Sequence, residues 1–505
     1  MKHFVTGKIY FLKTLEVLFI LLILCSGLYF FDRNSDLIIG FKPYYIGSYL
    51  KAYDIGKEKF DNFPQGIASS VPILMYHGAV GGSDGHNVSA DDFANQMIAL
   101  KKDGWQTINL QDFYLFMQGK KTVPDKSFLL TFDDGRKDSY YPTDPILKVL
   151  DYNAVIFVIT KYSLEDYSGN YYLSKKELSR MIASGRWEIE AHTRDGHNLY
   201  DIGEGKEKTH FYSNKLFLND KGRIETEEEF SERIRSDFLS AKNDIESELH
   251  VPVLGFAFPF GDFGQDSVNF PESKQIILNT IQQTYPMSFY QVRQDSGYTF
   301  NYPDPNAFLM KRLEVTHDWN PKHLLNVLQS AKGKTLPFRD NFTSYQGWVK
   351  SWGQMAIVDK KLFLGSQSTT TGALVFLDGS YYWKDYRFDV VADFINGQTF
   401  SLISRFQDQK NYVSCVYTPE YVRLTLTLDG AQQLIANEKN DTGLLGMDKN
   451  IGMTVRGDNV NCLANQTSVV SAQVDHIPAM GGVGVSSWDA EVGNSEMSVK
   501  EVTVQ

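Results

Sequence analysis

The 505-residue chain is too long for one ordinary hydrophobic core, so two or three domains are expected. Its net charge of −11 is modest for this size and widely spread, which argues against nucleic acid as a partner because such binding needs a basic face. Only three cysteines are present and none in a CxxC pattern, which argues against a thiolate metal site and leaves a Cys415–Cys462 bridge open.

At the N-terminus, Lys2, Lys8 and Lys13 precede an apolar run from Leu15 to Phe31. The run sits near the lower limit of the ~17–25 residues that span a bilayer, and the basic flank is expected to stay on the cytoplasmic side. No small-x-small cleavage site follows it, and Leu24 occupies the position before Cys25 where a lipoprotein signal carries a small residue. Residues 1–32 therefore read as a signal anchor and transmembrane helix, with the rest of the chain at the cell surface. A cleaved signal peptide, giving a secreted protein, is the alternative. Residues 33–69 are polar and mixed, with Tyr44, Tyr45, Tyr49 and Tyr53 interspersed, and read as a stalk or a short packing segment.

From Val71 short apolar runs alternate with amphipathic stretches, the pattern of a parallel sheet closed into a barrel. Pro72-Ile73-Leu74-Met75-Tyr76-His77 opens the series. Phe128-Leu129-Leu130 leads into Thr131-Phe132-Asp133-Asp134-Gly135, and Ile156-Phe157-Val158-Ile159 is a further strand. Ser174 to Ser184 reads as a helix, with Ser174 and Glu177 forming a capping box. Trp187 to Ala191 is the next strand, running into His192-Thr193-Arg194-Asp195-Gly196-His197. Residues 198–225 form an irregular charged insertion, expected either to line a substrate groove or to be a solvated excursion. Phe230, Ile234, Phe238, Ala241 and Ile245 mark one face of a helix from about Glu227 to Leu249. A strand ending at Ala257 then meets Phe258-Pro259-Phe260-Gly261, a tight bend that exposes backbone N–H groups. Phe308 to Val315 closes the series before Thr316-His317-Asp318-Trp319 and a helix over Asn320 to Ala331.

Two adjacent carboxylates at the end of a buried strand cost several kcal/mol, of order, unless a cation or proton compensates. A metal would let one of Asp133 and Asp134 ligate while the other handles protons. His192 and His197, after another strand, supply the two imidazoles that often complete a catalytic zinc site with an open position. Such an ion polarises a carbonyl and lowers the pKa of water toward ~7. The competing reading makes the aspartates a helix cap and the histidines ordinary loop residues.

Gly333 to Pro337 reads as a linker, and residues 338–505 as short alternating strands split by Gly, Asn and Asp turns, the pattern of a β-sandwich. Trp348, Trp352, Tyr381, Tyr382 and Trp383 are candidates for a sugar-stacking platform, with core packing expected for at least half of them.

With those motifs in place, residues 70–332 resemble the polysaccharide deacetylases, the NodB-like carbohydrate esterases. The first family motif, TFDDG, stands unaltered at 131–135. The second, H-[ST] plus a later His, appears with the wider spacing of the branch acting on poly-N-acetylglucosamine. The third, R-P-P-Y-G, corresponds to Ala257-Phe258-Pro259-Phe260-Gly261. The resemblance implies an α/β fold, a distorted (β/α) barrel of NodB type. Residues 338–505 look like a concanavalin- or laminin-G-like jelly roll and a carbohydrate-binding module. It implies Asp133 as general base and Asp134, His192 and His197 as ligands of a divalent metal, Zn2+ first, with Co2+, Ni2+ or Fe2+ as alternatives. Phe260 would lend its N–H to an oxyanion hole. The third-motif Arg is Ala257 here, so Arg312 is the candidate to replace it. The late Leu-x-His of the family is not plainly present, leaving His77 and His317 as candidate general acids, of which the resemblance to the branch with the wider His spacing favours His77. The implied activity is removal of N-acetyl groups from an extracytoplasmic N-acetylglucosamine polymer, with peptidoglycan second. O-deacetylation of another glycan, or a catalytically weak polysaccharide-binding or adhesion role, are the alternatives.

Overall fold

Seven strands, mostly buried on both faces, generate the first half of the molecule. They are β1 (Ile73–Tyr76), β2 (Ser127–Phe132), β3 (Ala154–Ile159), β4 (Trp187–Thr193), β5 (Gly255–Ala257), β6 (Met287–Val292) and β7 (Leu309–Glu314). The computed structural model describes residues 19–27, 42, 44–61, 66–82, 84–165, 170–203, 207–292, 300–344, 346–439 and 446–505. The strands run parallel in the order β1-β7-β6-β5-β4-β3-β2, and β2 pairs back to β1, which closes the barrel. Leu74 sits at the seam, in register with Leu313 on one side and Leu130 on the other. Burial on both faces follows from helices outside and packed side chains inside. Ile73, Leu129, Val155, Phe157, Phe289 and Met310 form the inner cluster. Leu74, Leu130, Ile156, Ile189 and Phe256 belong to the larger outer cluster beneath the helices.

The Lys175–Ala183 helix carries the expected capping box at Ser174 and Glu177. The Glu227–Leu249 helix buries Phe230, Ile234, Phe238, Ala241 and Ile245, as its periodicity predicts, together with Asp237. Part of the segment before the barrel is a packing element: the Tyr44–Ile55 helix buries Tyr45, Ser48, Ala52 and Ile55. The apolar run Leu15–Phe31 lies largely outside the described residues. Its piece 19–27 is helical and exposed, and among the described residues no helix is long and apolar enough to cross a membrane. The 198–225 insertion is more regular than its composition suggests. It contains an antiparallel pair, Leu199–Asp201 with Lys208–His210, and a second, Phe217–Leu218 with Arg223–Ile224.

The second half is a sandwich of an eight-stranded and a seven-stranded antiparallel sheet. Cys415 in one sheet and Cys462 in the other are joined by a disulfide within the apolar core. The five candidate rings are largely taken up by packing, as expected for at least half of them. Trp348 and Trp383 are core residues, and Trp352 packs on a small cluster beside Phe376 and Phe406. Tyr382 stacks on Tyr302 of the barrel half at 4.5 Å. Lys311 of β7 lies over the Tyr381 ring at 3.7 Å. These rings are consumed by packing because flat side chains fill the junction between the halves. The 333–337 segment is pinned rather than free: the Trp383 indole N–H and the Tyr382 hydroxyl both donate to the Lys334 carbonyl.

Candidate metal and catalytic site

Strand parity continues past β2 and carries Asp133 inward, after Leu129 and Thr131. The chain then turns through two successive left-handed residues, Asp134 (φ 71°) and Gly135 (φ 72°). A side chain on Gly135 would meet Val158 at 3.0 Å, so both the backbone angle and the space call for glycine. This turn separates the environments of the two carboxylates.

Asp133 is 3 % exposed and is gripped by Arg312 of β7. Nη1 and Nη2 donate to Oδ1 and Oδ2 at 2.6 and 2.7 Å, a bidentate pair. Arg312 thus fills the place left by Ala257, whose backbone carbonyl has another task. It accepts a hydrogen bond from His192 Nδ1 at 2.8 Å. With the proton on Nδ1, the lone pair of Nε2 faces Asp134 Oδ1 at 3.5 Å. His197 Nε2 lies 3.0 Å from the same oxygen. One ligand atom from each of Asp134, His192 and His197 lies within 4.8 Å of the others. Asp134 Oδ1 is buried, and no donor meets it in hydrogen-bond alignment. A buried carboxylate oxygen facing two imidazole nitrogens is costly unless a cation lies among them. The donor set therefore fits a divalent cation, and two imidazoles with one carboxylate leave coordination positions open.

The electrostatics agree with that fit. Burial lowers the His192 imidazole to about 4, against the pull of Asp133, so the ring is neutral and ligand-competent at neutral pH. Burial alone would raise Asp133, but the Arg312 guanidinium reverses this and holds the carboxyl below its ordinary value. Burial also opposes ionisation of Asp134, and the adjacent His197 overcomes it, leaving Asp134 well below the usual carboxylate range. His197 is lowered by burial and raised more by Asp134, ending above its ordinary value.

The His197 loop has its own support. Asp237, a carboxylate inside the apolar stripe of the Glu227–Leu249 helix, accepts from the Thr193 hydroxyl at 2.8 Å, from Asp195 N–H at 2.7 Å and from the Tyr212 hydroxyl. Gly196 N–H donates to Thr193 Oγ1 at 2.6 Å. A Cβ at position 196 would come within 2.6 Å of the Tyr212 ring and 2.7 Å of Thr193 Oγ1, so the turn that brings His197 back needs glycine.

At the rim, His77 follows β1. Its Nδ1 is 3.9 Å from Glu314 Oε1, and Gln291 donates to the other oxygen of Glu314. The histidines felt by Asp133 and Asp134 are His77, His192 and His197. His317 is exposed in the turn after β7 and acts on its neighbour Asp318. Of the two candidate acids, His77 is the one set beside the aspartate pair, while the turn carries His317 onto the surface. Phe260 adopts φ 60°, ψ 8° between Pro259 and Gly261, and the residue is 44 % exposed. Four functional neighbours escaped the reading of the sequence: Asp237, His210, Asp262 and Glu314. Only Asp237 carried a signal, a charge at a stripe position of an apolar helix face.

Residues 120–275 match the family model described as "Polysaccharide deacetylase". A poly-beta-1,6-N-acetyl-D-glucosamine N-deacetylase of Staphylococcus aureus (strain MRSA252) is 36% identical over 159 residues, 31% of this chain and 51% of that protein. The enzyme of the same name from Escherichia coli (strain K12) is 24% identical over 187 residues, 35% of this chain and 28% of that protein. The chain thus spans about half the length of the first of these relatives and less of the second. Among solved structures, a de-N-acetylase from Aggregatibacter actinomycetemcomitans aligns with 51% of this chain and 99% of its own, at 19% identity and a TM-score of 0.44.

Proposed function

We propose that this chain, whose residues 120–275 match the polysaccharide deacetylase model, hydrolyses N-acetyl groups from an N-acetylglucosamine polymer, releasing acetate and leaving free amines. The observation that carries the reading is the juxtaposition of Asp134, His192 and His197 with a separate, guanidinium-held Asp133. Ligation and proton transfer are thereby divided between neighbouring carboxylates.

Asp134, His192 and His197 would hold a divalent cation, zinc first. When bound, such an ion polarises the acetyl carbonyl and makes a water more acidic. Asp133 accepts the proton of the attacking water at a carboxylate oxygen. Arg312 fixes the direction of that carboxylate and keeps it ionised. The Phe260 N–H donates to the oxygen on which negative charge develops. His77, at the rim, returns a proton to the departing nitrogen, and Glu314 orients its ring. Amide cleavage needs such a donor because an unprotonated amine is a poor leaving group. The relatives' names support poly-N-acetylglucosamine as the first substrate, and peptidoglycan, which a membrane-anchored enzyme would meet, is the second. The basic flank and apolar run at the N-terminus support attachment to the membrane with the barrel outside, where such polymers lie.

The test is acetate release from N-acetylglucosamine oligomers by purified full-length protein, with bound metal measured in parallel. Asp133→Ala is expected to lose at least ~100-fold in kcat while keeping its metal, the scale of a lost general base. Asp134→Ala is expected to lose both. Wild-type turnover surviving Asp133→Ala would remove the base assignment.

A further inference from the structure

A non-glycine residue in the left-handed region costs about 1–2 kcal/mol and persists only where its surroundings over-determine it. Phe260 is such a residue, and the next, Gly261, is also left-handed at φ 67°. What fixes this turn lies partly outside the barrel strands. The Phe260 ring is parallel to the His210 imidazole, 4.4 Å between centroids and 5° between planes. It lies 4.9 Å from the ring of His197. His210 is itself held: its Nδ1 is 2.7 Å from Oδ2 of Asp262, a buried carboxylate two residues beyond Phe260. The other oxygen of Asp262 accepts from Gly264 N–H at 3.0 Å. His210 ends the Lys208–His210 strand of the insertion after the second histidine motif. One imidazole therefore grips the 259–264 turn twice, through a face on Phe260 and an edge on Asp262.

We propose that His210 and Asp262 form a clip that positions the Phe260 backbone N–H for the developing oxyanion. The insertion thereby becomes part of the active-site machinery. The proposal rests on the deacetylase reading above, since it assigns the purpose of the turn. Neither residue reaches the reacting atoms, so both are positioning residues. A donor that serves only the transition state changes kcat when displaced and leaves KM nearly alone. A pair that merely anchored the insertion would instead disturb substrate binding, metal retention or both.

The experiment compares full-length wild type with His210→Ala and His210→Phe. It measures kcat and KM on N-acetylglucosamine oligomers, bound zinc by mass spectrometry, and amide exchange of peptides covering residues 256–264. His210→Ala is expected to lower kcat by about 10–100-fold, a fraction of what deleting an oxyanion donor costs. KM should stay within about 2-fold, zinc content should be unchanged, and exchange in the 259–264 turn should quicken. His210→Phe keeps the stacked ring but loses the donor to Asp262, and should recover only part of kcat and of the protection. If His210→Ala does not fold, His210→Asn, which offers an amide N–H to Asp262 without a ring, takes its place with the same expected outcome. Unchanged kcat and exchange, or a fall in kcat that tracks zinc loss, would overturn the clip. Absence of turnover in wild type would instead overturn the deacetylase reading, and the exchange rates alone would then decide whether the clip exists.

Discussion

Asp133 and Asp134 are neighbours in sequence with different partners in space, and the difference is made by Arg312. Removing that guanidinium leaves Asp133 buried among groups that cannot solvate it. Breaking such a pair by deleting one partner costs about 3–5 kcal/mol. Arg312→Ala is expected to lower the unfolding free energy by that order, as read by denaturant melts. The pH dependence follows in sign. A carboxyl whose folded pKa is depressed contributes stability that is complete above its unfolded value of ~3.9 and is lost as pH falls through the folded value. In Arg312→Ala burial dominates and the Asp133 pKa rises, so the acidic limb of the kcat/KM profile should move to higher pH. An unmoved limb would show that Asp133 is not the group titrating there.

At the scale of elements, the site is a junction of strand ends with one helix behind it. Asp237, Tyr212 and Thr193 form a buried network that returns the chain toward Asp134, with Gly196 at its tightest point. Gly196→Ala is expected to push Tyr212 or the loop aside and weaken the binding of an added divalent cation such as zinc by about 10–100-fold, the usual effect of disturbing groups behind a ligand. Titration calorimetry reads this directly. Strands, the long helix, the capping box at Ser174 and the Asp134–His192–His197 convergence were legible because each is a local pattern: alternation, a 3.6-residue period, or a motif at a strand end. Arg312 could be nominated but not placed, since its contact with Asp133 depends on closing the barrel across β1. The fate of the sandwich aromatics was hidden for a related reason. A ring suited to stacking on sugar is equally suited to filling an apolar junction, and only tertiary structure separates the two.

Across the whole molecule, two features set the response to conditions. The Cys415–Cys462 bridge joins the sandwich sheets over a separation of 47 residues. In the chain-entropy account a loop of that size is worth about 4 kcal/mol. The Cys415→Ala, Cys462→Ala double variant should therefore melt at a clearly lower temperature in scanning calorimetry, with the loss confined to the sandwich transition. Buried tyrosines set the alkaline limit. Burial, foremost, pushes Tyr76, Tyr212 and Tyr285 well above 10. An acid whose folded pKa is raised contributes stability that is complete below its unfolded pKa and lost as pH climbs above it. Each such phenol costs about 1.36 kcal/mol per pH unit beyond ~10. Unfolding followed by the tyrosinate absorbance band should then become cooperative and steep above that pH.

Strand β7 joins these scales. Lys311 presents its ammonium to Tyr381 of the sandwich, while the very next residue, Arg312, steadies Asp133 within the barrel. The C-terminal half is therefore cladding on the stave whose inner side holds the carboxylate proposed as the base. Severing the polypeptide beyond Pro337 would trim no detachable appendage: it would unseat a brace, and the excised barrel would keep every group at its mouth yet lose part of what aligns them.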